Sequence, residues 1–137
     1  SGNPLAMAAG YAVLRKIADT PDLYERLERF GAALEEGIRE NLKGLGLDLY
    51  FTRVGAMATL FFTSERVVDY ETARRCDTRR FARYFHAMLE EGIYLPPSQF
   101  EAFFFSTAHG ERELEQTLSA QRRALARAFA DDGDDAA

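Results

Sequence analysis

The chain has 137 residues, 47% of them apolar and 28% charged, which suits one folded domain and excludes collagen-like, low-complexity and wholly disordered chains. Its net charge is −5. Asp131, Asp132, Asp134 and Asp135 at the end carry most of that, so the body is near neutral, which argues against a nucleic-acid partner. No apolar run approaches the roughly 20 residues that cross a bilayer, so no membrane partner is expected.

Asn3-Pro4 opens the first predicted helix, with Asn as N-cap and Pro at the first helical position. Leu5 to Ile17 is rich in Ala and Gly and is expected to pack on more than one side. Thr20-Pro21 repeats the cap pattern. Leu23, Leu27, Phe30, Leu34, Ile38 and Leu42 then draw one apolar stripe on a second helix, ended by Gly44 and Gly46. Leu47 to Val54 alternates as a strand, and Met57 to Thr63 is a second, joined through Gly55-Ala56 as an antiparallel hairpin. Glu65 to Arg75 is polar and irregular, with room for a short helix. Asp77 caps a helix with Phe81, Tyr84, Phe85, Met88 and Leu89 on one face, closed by Gly92. Ile93 to Leu95 reads as a short strand stopped by Pro96-Pro97, and Phe100 to Ser106 as another. The last helix opens near His109-Gly110, with Leu114, Leu118, Gln121, Leu125 and Phe129 inward. The expected class is α+β: a small, mainly antiparallel sheet of three to four strands covered by helices. Residues 1–19 form a connecting helix, 20–129 a small domain, and 130–137 an acidic tail expected to be disordered.

Little in this inventory carries chemistry. His86, His109 and Cys76 are too few for an ordinary zinc shell, so no metal is expected. The lone Cys76 excludes an internal disulfide and suits a reducing, cytoplasmic setting. The arginines at 74, 75, 79, 80 and 83 are interrupted by acids and read as a solvated face. No glycine-rich phosphate loop and no nucleophile–base–acid arrangement stands out. Nearly all carboxylates lie on amphipathic helices. Glu101 is the exception: it sits at the mouth of an apolar strand, where an ionisable group marks a candidate site.

Three segments resemble a known family. Ser1-Gly2-Asn3-Pro4-Leu5-Ala6-Met7 resembles the helix start that follows the cofactor-phosphate loop in fold-type I, class III pyridoxal-phosphate enzymes. Residues 55–63 are narrower. Narrower still is 77–102, which ends Gly92-Ile93-Tyr94-Leu95-Pro96-Pro97-Ser98-Gln99-Phe100-Glu101-Ala102. With Ser106-Thr107-Ala108-His109 it is similar to the glutamate-1-semialdehyde 2,1-aminomutases, in order and in register to about residue 129. Phe103 departs from that pattern, which commonly has Gly there, and is expected to alter strand packing or narrow the site beside it.

The resemblance implies a C-terminal small domain of a homodimeric, cytoplasmic enzyme. That enzyme converts glutamate-1-semialdehyde to 5-aminolevulinate for tetrapyrrole synthesis, using pyridoxal 5'-phosphate or pyridoxamine 5'-phosphate. Lys16 and Lys43 match no Schiff-base lysine motif, so the resemblance places that lysine outside this chain. The chain alone is expected to be inactive and to bind no cofactor, and the absent initiator Met reads as the start of a cut piece. Ser1, Gly2 and Asn3 are expected near the cofactor phosphate, and Asn3 doubles as a helix cap. Glu101 is expected at the substrate mouth, facing an arginine or the substrate amine. Another class III aminotransferase and a non-catalytic interaction module are the alternatives.

Overall fold

A computed structural model describes residues 2–130. Ser1 and the acidic residues 131–137 lie outside the described residues. Five helices and three strands follow in order: α1 (Pro4–Ala18), α2 (Leu23–Leu45), β1 (Tyr50–Val54), β2 (Met57–Phe61), α3 (Tyr70–Ala73), α4 (Thr78–Glu90), β3 (Phe103–Phe104) and α5 (Glu111–Ala130). The strands form one antiparallel sheet in the order β1-β2-β3. This is the expected α+β class, with three strands.

The Asn3 cap forms as its sequence demands: Oδ1 accepts from the amides of Leu5 and Ala6 at 2.9 and 3.3 Å. The packing expected of α1 does not form within the described residues. None of its residues is buried, and Leu5, Tyr11 and Leu14 are each at least 65% exposed. The second helix starts later than Thr20-Pro21 suggests. Thr20 takes the Leu23 amide in a preceding turn, and α2 opens after Asp22. Its far end is set by Gly46, whose φ of +66° belongs to the left-handed region that glycine enters without strain. Gly44 lies inside the helix.

β1 is shorter than the alternation from Leu47. The Leu47 amide is already engaged with the Leu42 carbonyl, closing α2, so pairing begins at Tyr50. The hairpin through Gly55-Ala56 forms, with Val54 opposite Met57 and Gly55 at φ +57°. No strand forms at Ile93 to Leu95. Gly92 and Ile93 donate to Leu89 and Met88, ending α4, and Pro96-Pro97 lack amides to continue a ladder. The strand expected from Phe100 to Ser106 contracts to Phe103–Phe104, opposite Ala58 and Met57.

One core joins the inner face of the sheet (Phe51, Ala58, Leu60, Phe62) to α2, α4 and α5. The seam between α4 and α5 is built on small residues. Ala120, Ala124 and Ala128 are at most 1% exposed and face Tyr84, Ala87 and Met88 on α4, while Leu89 turns 45% exposed. Alanine spacing of four makes a shallow ridge into which a neighbouring helix settles closely. Gln121 is buried here as well, bonded to Tyr84 and to Asn41 Nδ2 at 3.1 Å, so one polar chain links α2, α5 and α4. On the opposite side of the sheet Val54, Met57 and Phe104 remain exposed.

Candidate functional site

The segment from Gly92 to Ala102 carries the one carboxylate that the sequence singles out. After α4 closes, the chain has few regular backbone partners, and a single side chain holds it. Gln99 is 3% exposed. Its Oε1 accepts from the Phe62 amide at 3.0 Å and its Nε2 donates to the Leu60 carbonyl at 3.0 Å. The carboxamide thus copies the two hydrogen bonds of a neighbouring strand along the edge of β2, where β3 is too short to reach. A tight turn follows: the Phe100 amide donates to Ser98 Oγ at 3.2 Å and the Glu101 amide to the Ser98 carbonyl at 3.2 Å. The anchored Gln99 points in, and Glu101 two residues later is exposed.

Glu101 lines a cavity of about 130 Å³ that reaches into the core. Leu34 and Ile38 of α2, Leu60 of β2 and Met88 of α4 form its deep walls; Tyr94 and Phe104, 76% and 70% exposed, stand with Glu101 at its open side. Glu101 is the one acidic group among the described residues lining it, and no hydrogen bond or ion pair engages its side chain there. The arginine expected to face Glu101 is therefore not supplied by these residues. Phe103 also lines the cavity, opposite Ala58 in register.

Of the remaining sequence candidates, His109 shares that lining, and the others among the described residues lie elsewhere. The Asn3 side chain is spent on its helix cap. Gly2 adopts φ +93° and, with Asn3, is absent from the cavity lining; Ser1 is outside the described residues. His109 Nδ1 accepts from the Ser106 amide at 3.0 Å, a loop closure. His86 is exposed. Cys76 is buried, and burial raises its thiol pKa, opposite to what a nucleophile needs. Among the described residues no cluster of three His, Cys, Asp or Glu is disposed to hold a metal, and no helix is long and apolar enough to cross a membrane.

Two residues that position this region escaped the sequence reading. Gln99 offers no periodic signal at all. Arg53 does: it falls on the inward phase of β1, in step with Phe51, where an arginine needs partners. It finds Glu28 in a two-pronged pair (2.8 and 2.9 Å), Glu35 at 3.1 Å and the Gly55 carbonyl at 2.9 Å. The Glu28 and Glu35 pairs hold the guanidinium charged by raising its pKa further, against a lesser cost of burial. Gly31 on α2 makes room: a Cβ there would meet Arg53 Nη1 at 2.8 Å and the Phe105 ring at 2.9 Å. This clamp ties α2 to the hairpin turn.

No family model matches the chain. Among curated proteins, it is 61% identical over 128 residues to the glutamate-1-semialdehyde 2,1-aminomutase of Salinibacter ruber, covering 93% of this chain. It is 54% identical over 125 residues to that of Thermus thermophilus. The family resemblance read from the sequence holds. The chain spans 29% of the length of the Salinibacter relative and 30% of the Thermus one. Among solved structures it is similar to a transaminase with PLP bound, with a TM-score of 0.75 and 26% identity over 93% of this chain and 28% of that one. An omega-transaminase from Sphaerobacter thermophilus gives a TM-score of 0.75 at 27% identity, over 92% of this chain and 28% of that one. The aminomutase-like segment and the transaminase-like fold thus coincide over the same residues.

Proposed function

We propose that this chain is the C-terminal part of a cytoplasmic, homodimeric enzyme that isomerises glutamate-1-semialdehyde to 5-aminolevulinate for tetrapyrrole synthesis. The observation that carries the proposal is the 61% identity to an aminomutase of that name across nearly the whole chain. The cofactor would be pyridoxal 5'-phosphate or pyridoxamine 5'-phosphate, bound mainly by residues outside this chain. In this reading the chain supplies at most part of that site. Among the described residues no lysine or arginine lines the cavity, and Lys16 and Lys43 are exposed on α1 and α2. The segment from residue 1 to 19 would connect to the rest of the enzyme, which accords with the exposed apolar side chains of α1.

Within that reading Glu101 serves at the substrate mouth. The Gln99 anchor fixes the turn that presents its carboxylate, which would accept from a cationic group, either the substrate amine or an arginine of the remaining enzyme. Ser1, Gly2 and Asn3 would lie toward the cofactor phosphate of the assembled dimer. A second reading, another class III aminotransferase with a different amino acceptor, is favoured by the structural neighbours, which are transaminases.

A chimera separates the two. The matched 128 residues of the Salinibacter ruber enzyme are replaced by those of this chain. The expected result is formation of 5-aminolevulinate from glutamate-1-semialdehyde without an added amino acceptor. A folded chimera that works only with a 2-oxo acid acceptor supports the aminotransferase. A folded, cofactor-bound chimera with neither activity overturns both.

A further inference from the structure

We propose that the core cavity behind Glu101 is a binding site for small monocationic molecules with an apolar body, the class of short aryl or alkyl amines. Three observations carry this. First, the cavity, about 130 Å³, is close in size to apolar protein cavities of about 150 Å³ that take up benzene. Second, two buried polar side chains of its wall are engaged elsewhere. The Gln99 carboxamide is held by β2, and Gln121 by Asn41 and Tyr84. No buried side-chain polar atom among the described residues lacks a partner, so the interior asks for an apolar body. Third, the exposed, unpaired Glu101 carboxylate stands at the open side and is the one acidic group of the lining among the described residues. A ligand with its ring among Leu34, Ile38 and Met88 and its ammonium toward Glu101 satisfies all three. The inference concerns this chain's own core and does not depend on the reaction proposed above.

The test titrates the 137-residue chain with benzylamine, toluene and benzoate, which share a ring and differ in charge, while amide and methyl NMR shifts are recorded. The expected result is saturable shifts at Met88 and Leu34, with benzylamine about threefold tighter than toluene, as an exposed ion pair gives, and benzoate weakest. Glu101→Gln, at an exposed position where the fold is retained, should bring benzylamine and toluene to equal affinity. Leu95→Phe, which adds bulk to the lining, should weaken both. Absence of saturable shifts at Met88 and Leu34 with any of the three probes overturns the cavity site. Equal binding of all three in the unsubstituted chain, or an unchanged preference in Glu101→Gln, overturns the role of the carboxylate.

Discussion

Replacing Gln99 with methionine tests the strand-like anchor directly. The two side chains are similar in length, so little volume is lost, but both hydrogen bonds to β2 disappear. The Phe62 amide and the Leu60 carbonyl, in residues 3% and 6% exposed, then lose their partners. Each buried unpaired group costs about 1–3 kcal/mol, and the more apolar methionine returns about 1 kcal/mol. The net loss should be about 3 kcal/mol, a fall of roughly a hundredfold in the folding equilibrium and a large fraction of a small domain's stability. Urea denaturation followed by far-ultraviolet circular dichroism measures it; the chain has no tryptophan to report by fluorescence. Gln99→Glu sharpens the reading. At neutral pH it keeps the acceptor for Phe62 but turns a carboxylate toward the Leu60 carbonyl. Burial should raise that carboxyl's pKa, so the defect should ease as pH falls and the protonated acid donates to Leu60. A methionine variant within about 1 kcal/mol of the parent would refute the anchor, and so would a glutamate variant whose defect is indifferent to pH.

Three further outcomes follow from the same geometry. Gly31→Ala should destabilise by about 1 kcal/mol despite alanine's better helix propensity, because Arg53 is pinned by its partners and cannot retreat, whereas Gly10→Ala, with open space around it, should be neutral or stabilising; paired melting curves decide, and equal signs would remove the close-approach argument. Hydrogen bonds from Arg39, then from Arg53, hold the Glu35 carboxyl below its ordinary value of 4.5. Its contribution is present above that value and lost as pH falls through the lower folded one, so Arg53→Met should flatten the acid limb of a stability–pH profile; an unchanged limb would show the clamp to be electrostatically idle. In the chimeric aminomutase, Glu101→Gln should lower turnover while shifting stability by less than about 0.5 kcal/mol, as befits an exposed side chain; full activity with a large melting loss would make Glu101 structural.

The sequence by itself determined the class, most of the helix caps and the hairpin, because those depend on neighbours in the chain. Asn3 caps α1, Asp77 caps α4, Gly46 and Gly92 end helices with positive φ, and a two-residue link joins β1 to β2. The aminomutase resemblance was equally legible, since it lies in contiguous residues. Tertiary structure decided what local pattern cannot express. Strand lengths depended on which amides were already taken: Leu47 and Ile93 close helices and are lost to the sheet. The seam between α4 and α5 rests on Ala120, Ala124 and Ala128, which hydropathy periodicity weighs lightly because the close approach of a second helix gives a small residue its value. Gln99 and Arg53 show the same limit. A buried polar side chain is tolerated only when distant groups meet it in the right geometry. For Gln99 those groups are the backbone of β2, 37 and 39 residues away in the chain, and no pattern around residue 99 announces a partner so remote. The exposed carboxylate of Glu101 could be picked out as odd from sequence, but the cavity behind it exists only where five separate elements meet.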